Sequence, residues 1–290
     1  MNSQRIALLT DSGTNTPASF AAEHDIRIAP LRITFAEGAY DSGVDITPAQ
    51  LAARLPLEVP RTSAPAPQTI RAMLEQVRED GYDRAVFVTI SSGLSPTYQT
   101  VRMVASQMSG FSVMVVDSLS IGVAAGLVVM AAAEMIDRDV PFTRMQRKLD
   151  DLARRTDVFF STTTLEYLWR GGRISESVYR LGSMLDIKPV ITCNESGHYV
   201  VARKARGWER SLQAEVSLAR DCARRFGRVM LAVCCSDSCD CFDMLEDRLR
   251  QEMAVLGVEV VGVVRSDVSA DLLVHTGPDL VGVGIQGVAF

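Results

Sequence analysis

Short apolar runs alternate with segments of helical periodicity from the start of the chain. Ile6–Thr10 reads as a buried strand that stops at Asp11-Ser12-Gly13-Thr14-Asn15-Thr16-Pro17, loop chemistry followed by a helix cap. Ile26–Phe35 is a second extended run, and Thr47 caps a helix that opens on Pro48. Pro60–Pro67 holds too much proline for a helix or a central strand. Gln68–Asp80 is predicted helical, Arg84–Ile90 a buried strand, Ser91–Tyr98 a polar loop, Gln99–Met108 a helix and Ser112–Val116 a further strand. A long Ala-rich helix follows. Strands buried on both faces and alternating with helices predict an α/β fold with a mostly parallel sheet.

The pattern changes near Asp150. Asp137–Thr156 reads as helical, Val158–Thr162 as a strand and Leu165–Trp169 as a short helix, followed by the glycine-broken turn Arg170-Gly171-Gly172-Arg173. Lys188–Cys193 and His198–Lys204 flank Asn194-Glu195-Ser196-Gly197, a hairpin signal foreign to the first half. The expected architecture is therefore two domains. Residues 1–150 form a parallel-sheet, Rossmann-like N-terminal α/β domain, and residues 151–290 form an α+β C-terminal domain. The boundary is soft by about 15 residues, because the join is helical rather than linker-like.

Composition narrows the function classes. Thirty Lys and Arg stand against 35 Asp and Glu, a net charge of −5, so a general nucleic-acid surface is not expected. The longest apolar stretch, Ile121–Ala133, is shorter than the roughly 20 residues of a membrane span and is stopped by Glu134, and the N-terminal apolar run is too short for a signal peptide. A cytoplasmic protein with no transmembrane segment is the expectation. Of six cysteines, four crowd together as Cys234, Cys235, Cys239 and Cys241, without a C-x-x-C. Cys234 and Cys235 end a strand-like run and so face opposite ways, which favours small apolar fillers over a shared metal. No metal and no cofactor are expected.

Ligands of open α/β sheets bind beyond the carboxyl ends of the strands. The loops there are Asp11–Thr14, Ser91–Tyr98 and Asp117–Ser120, joined by Thr62-Ser63. They supply many hydroxyls and backbone N–H groups and little positive charge, which suits one carboxylate better than a triphosphate. Each loop alone reads first as caps and turns, where Ser and Thr are common. Gly282-Val283-Gly284-Ile285-Gln286-Gly287 fits G-x-G-x-x-G, but too few residues follow for the helix that carries a pyrophosphate. Gly93-Leu94-Ser95-Pro96-Thr97 lacks the final glycine of a nucleophile elbow. A serine hydrolase or acyltransferase built from Ser95 or Ser92 with His275 and Asp11 remains an alternative, since triads are geometric. His275, before a Gly-Pro bend, reads by itself as a turn residue.

Together these loops resemble the DegV family of bacterial fatty-acid-binding proteins. The shared set, in order, is Thr10-Asp11-Ser12, Pro30-Leu31, Thr62-Ser63-Ala64-Pro65, Ile90 to Tyr98, Val116-Asp117-Ser118, Gly171 to Ser175, Ile187 to Val190, Lys204-Ala205-Arg206 and His275-Thr276-Gly277-Pro278. The resemblance implies a long-chain fatty acid enclosed between two domains. It implies a carboxylate held by Thr62 and Ser95 with His275 beside them, and Ser63, Ser92 and Gly93 as further head-group loop residues. It also implies a non-catalytic carrier that presents the carboxylate to a partner fatty-acid kinase, whose acyl phosphate feeds phospholipid synthesis. Arg170 and Arg173 are the residues expected to dock such a partner. Two positions depart from the family pattern. Pro96 replaces a glycine and removes one backbone N–H from the loop, and Cys234-Cys235-Ser236-Asp237 replaces a small polar strand end.

Overall fold

A computed structural model describes residues 2–182, 186–236 and 241–288. The first half contains β1 (Ile6–Asp11), α1 (Ala18–Glu23), β2 (Arg27–Ala29), β3 (Arg32–Phe35), β4 (Gly38–Asp41), α2 (Pro48–Arg54), β5 (Arg61–Ser63), α3 (Pro67–Glu79), β6 (Arg84–Thr89), α4 (Thr97–Ala105) and β7 (Ser112–Asp117). Helices α5 (Gly122–Asp137) and α6 (Phe142–Ala153) follow. Four strands make a fully parallel sheet in the order β2-β1-β6-β7. The chain leaves β1 for one side and returns as β6 on the other, so the loops after β1 and β6 meet at a topological switch point.

A second sheet, small and antiparallel, has the order β4-β3-β5. Pro30 divides the extended run expected over Ile26–Phe35, so that β2 joins the parallel sheet and β3 the small one. β5 lies within the proline-rich stretch and takes an edge position, where missing N–H donors are tolerated.

The remaining elements are β8 (Thr156–Ser161), α7 (Glu166–Arg170), α8 (Glu176–Gly182), β9 (Ile187–Cys193), β10 (Tyr199–Arg206), α9 (Trp208–Ala223), β11 (Arg228–Cys235), α10 (Cys241–Leu256), β12 (Glu259–Asp267), α11 (Ala270–Thr276) and β13 (Val281–Gly287). Six strands form a mixed sheet in the order β10-β9-β8-β13-β11-β12, and the β9–β10 pair is the antiparallel hairpin the sequence predicts. The Gly282–Gly287 motif is strand β13, in the middle of this sheet, and not a phosphate loop.

The helical reading of Asp137–Thr156 needs correction. α5 ends at Asp137, Arg138–Pro141 turn the chain, α6 runs to Ala153, and Thr156 already begins β8. α5 is buried on nearly every side because it packs between the parallel sheet and the mixed sheet. That explains an Ala- and Gly-rich apolar segment of 16 residues without a membrane, and no helix among the described residues is long and apolar enough to cross one.

The two halves also lock through the hairpin turn. The Ser91 hydroxyl donates to the Gly197 carbonyl at 2.9 Å, and Gly93 N–H donates to the Ser91 hydroxyl at 3.1 Å. A Cβ at Gly93 would stand 2.7 Å from the Ser196 carbonyl oxygen, closer than any side chain permits. Gly93→Ala is therefore expected to push the hairpin turn off the serine loop and to cost about 1–3 kcal/mol. A lower unfolding midpoint with faster hydrogen exchange confined to Asn194–Gly197 would match this. An unchanged midpoint would show that the contact is not close-packed.

Candidate functional site

The loop after β1, the loop after β6, β5 and helix α11 converge on a cavity of about 200 Å³ between the parallel and mixed sheets. One end is polar. Thr62, on β5 opposite Ile33 of β3, reaches His275 on the last turn of α11, with Oγ1 and Nε2 2.7 Å apart. Ser63, Ser95 and Arg173 line the same cavity. His275 is thus a helix residue in the cavity wall rather than a turn residue. No local signal announces this, because the seven-residue α11 precedes a Gly-Pro bend and owes its place to packing against α2, α7 and β5.

The surroundings of His275 decide its protonation. Burial, then the neighbouring Arg173 guanidinium, push its pKa down to about 3, so the ring is neutral at physiological pH. Nδ1 is buried and has no hydrogen-bond partner. A bare lone pair there is easier to tolerate than a stranded N–H donor, which favours the tautomer protonated on Nε2. Nε2–H then donates to Thr62 Oγ1, and the Thr62 hydroxyl proton is free to point into the cavity. Space for the ring exists only because residue 171 is glycine, since a Cβ there would lie 2.2 Å from Nδ1. The glycine-broken turn seen in the sequence acquires its reason here.

Ser95 is buried, its hydroxyl 2.8 Å from that of Thr97 at the start of α4. Pro96 sits just before that helix, where a missing N–H breaks no helical bond. Ser92 and Gly93 do not line the cavity. Ser92 N–H donates to Asp117 at 3.1 Å, and Gly93 faces the hairpin.

The two arginines separate. Arg170 is exposed and pairs with Glu166 one helical turn back at 2.6 Å. Arg173 is half-buried, donates to the carbonyls of Gly171 at 2.5 Å and Leu94 at 3.3 Å, and has no carboxylate partner among the described residues. Burial lowers its pKa. An exposed two-arginine turn is therefore not what the chain builds, because the bend at Gly172 turns Arg173 inward.

The other end of the cavity is mostly apolar, with Val158, Phe160, Val268, Leu272 and Leu280 in its wall beside Cys234. Burial pushes the Cys234 thiol up to about 12, so it behaves as an apolar filler. Cys235 points to the opposite face of the sheet, into the core under α9 and α10. Cys239 lies outside the described residues. Sequence reasoning missed Tyr199, Asn15 and Asp271, which also line the cavity.

The groups of the serine-triad alternative are engaged elsewhere. Ser95 meets Thr97, His275 meets Thr62, and Asp11 accepts from the N–H groups of Gly13 at 3.0 Å and Ile90 at 2.9 Å. Burial and the neighbouring Asp271 raise the Asp11 carboxyl to about 8.

A lowered His275 pKa means that the unfolded chain binds the extra proton first, so folding stability falls as pH drops from about 6.5 towards 3. In NMR titration the His275 ring resonances are expected to stay flat from about pH 8 to pH 5. A midpoint near 6.5 would mean a solvated imidazole and would contradict the site geometry.

The sequence matches the family described as "uncharacterised protein, DegV family" over residues 5–287. A DegV domain-containing protein of Clostridium acetobutylicum is 31% identical over 283 residues, covering 97% of this chain and 99% of that protein. One from Streptomyces coelicolor is 32% identical over 285 residues, covering 98% and 99%. Among solved structures, a DegV family protein of Thermus thermophilus, described as binding fatty acid, superposes with a TM-score of 0.88 at 28% identity, covering 99% of this chain and 100% of that one. A stearic acid-binding protein of Eubacterium ventriosum shares the fold, with a TM-score of 0.84 at 23% identity over 98% of each chain. On the match over residues 5–287 and the full-length relatives, the chain belongs to the DegV family.

Proposed function

We propose that the cavity holds one long-chain fatty acid, with its carboxylate at Thr62, Ser95 and His275 and its tail along the apolar wall. The observation that carries this reading is the Thr62–His275 hydrogen bond of 2.7 Å at the polar end of an otherwise apolar cavity. It leaves a hydroxyl proton for an anion. The fatty acid bound by the Thermus thermophilus relative supports the same ligand class.

The energetics divide between the two ends. A chain of about fourteen methylenes gains roughly 11 kcal/mol gross on burial. Burying the carboxylate costs several kcal/mol unless hydrogen bonds and charge replace its water. The tail therefore supplies affinity, and the head group supplies orientation. Arg173, half-buried and without a counter-ion among the described residues, adds positive potential beside the hydroxyls.

In this reading residues 1–150 and 151–290 are the two domains that close on the ligand. The chain acts as a carrier, presenting the carboxylate to a separate fatty-acid kinase for phospholipid synthesis. Thr62 and His275 are themselves only partly buried, which fits presentation, and the exposed Arg170 is the residue left for docking. Ser63, also in the cavity wall, is an additional hydroxyl for the head group.

Solvent extraction of the purified, denatured protein followed by mass spectrometry is expected to release long-chain fatty acid. Absence of lipid together with no binding of added palmitate or oleate would refute the assignment. Thr62→Val is expected to weaken binding by about tenfold, the loss of roughly one hydrogen bond to a charged group. Ser95→Ala should do the same, and unchanged affinity in both variants would place the carboxylate elsewhere.

A further inference from the structure

The cavity has a second end, and a single side chain closes it. The head-group hydroxyl of Thr62 meets His275 in the last turn of α11, whereas Ser269, which opens the same helix, lies at the far end beside Asn15. Asn15 follows the short turn after β1 and lines the cavity, as does Val268, the chain neighbour of Ser269. On the other side of Asn15 is a surface cleft of about 470 Å³. Among the described residues, Asn15 alone belongs to the walls of both.

The side chain is held as a fixed partition. Its Nδ2 donates to the Asp267 carbonyl at 2.9 Å and its Oδ1 accepts from the Ser269 N–H at 3.1 Å. The Asn15 carbonyl accepts from the Ser266 hydroxyl at 2.9 Å. These bonds tie the loop after β1 to the connection between β12 and α11, so Asn15 spans the gap between the first half of the chain and the second. It is buried, and its backbone is left-handed, with φ 47° and ψ 35°, a conformation that asparagine tolerates better than most residues. An amide whose donor and acceptor are both engaged by buried backbone groups does not swing aside for an apolar ligand without losing those bonds. The cleft beyond is partly apolar, with Ile28, Pro30, Val44 and Pro48 in its wall. A tail that passed Asn15 would find surface to cover there.

We propose that Asn15 is a specificity-determining residue that stops the acyl tail and sets the longest chain the cavity takes. The inference rests on the fatty-acid reading above and adds the length limit. Each methylene placed in the cavity raises affinity roughly fourfold. Once the terminal methyl meets Asn15, a further carbon covers no new apolar surface and must buckle the chain, so the gain ends. Glycine at position 15 keeps the left-handed backbone without strain and removes the partition. The cavity then opens into the outer cleft, and the limit moves to longer chains.

The test measures laurate, myristate, palmitate, stearate and arachidate by competition against a fluorescent fatty acid, using delipidated full-length protein. The expected wild-type affinity rises along the series and levels or falls before arachidate. Asn15→Gly should go on rising for at least one further member, binding the first acid past the wild-type limit about tenfold more tightly than the wild type does. Asn15→Asp, of the same size and still an acceptor for the Ser269 N–H, should keep the wild-type limit, whereas mere loosening of the seam would shift both variants. In the wild type the labelled terminal methyl of the acid at the limit should show a nuclear Overhauser contact to the Asn15 side-chain NH₂, a readout that stands even if a variant fails to fold. A limit unmoved by Asn15→Gly, or moved as far by Asn15→Asp, would overturn the stop. So would a wild-type profile that rises through arachidate, or a terminal methyl with no contact to Asn15. Each of these leaves the fatty-acid reading standing. If none of the five acids bound, the fatty-acid reading itself would fall, and this inference with it.

Discussion

The hydrogen bond between Thr62 and His275 is the contact on which the site depends. It joins β5, an edge strand from the first half of the chain, to α11, a short helix 213 positions later. Neither element is stable by itself, as a three-residue strand and a seven-residue helix are below the length at which local interactions suffice. Both are held by packing, and the hydrogen bond converts that packing into a defined head-group geometry. The glycine at 171 and the neutral state of the imidazole are its conditions. A side chain at 171 would evict the ring, and a proton on Nδ1 would place a second cation beside Arg173.

The polar and apolar ends of the cavity have different origins. Hydroxyls gather at the switch point of the parallel sheet because the strand ends there carry Ser- and Thr-rich loops, which suit caps and tight turns. The apolar wall comes from the facing surface of the mixed sheet, where alternate residues of β8, such as Val158 and Phe160, point into the cavity while Phe159 and Ser161 point at α9. A ligand with one anionic end and a long apolar body matches that division. Asp271 on α11 belongs to the polar side, where the Ser12 and Ser42 hydroxyls hold it at the junction between α11 and the first half.

Much of the architecture is legible in the sequence because each strand of the parallel sheet is an apolar run bounded by polar loops, and the Asn194–Gly197 turn marks the hairpin. The break at Pro30 and the edge strand β5 are harder to read, since their states follow from which sheet receives them. The site is legible in part. Thr62, Ser95 and His275 emerge from the ordered motifs, and the structure brings them to one cavity. Arg173 is misjudged from sequence as surface-facing because a Gly-Gly turn gives no sign of which way its neighbours point. Asp271 carries no signal at all, as an acidic residue in the first turn of a helix is ordinary, and only its burial without a full set of partners sets it apart.

The central claim is that a carboxylate is held at Thr62 and His275. It is tested most directly by carbon-13 NMR of carboxyl-labelled palmitate bound to the protein. The account predicts a bound carboxyl resonance distinct from free palmitate, which keeps its ionised shift as the pH passes through the ordinary carboxylic-acid range of about 4 to 5. His275→Ala should return it to free-acid behaviour. A bound resonance that titrates like the free acid, and does so identically in wild type and variant, would contradict the account.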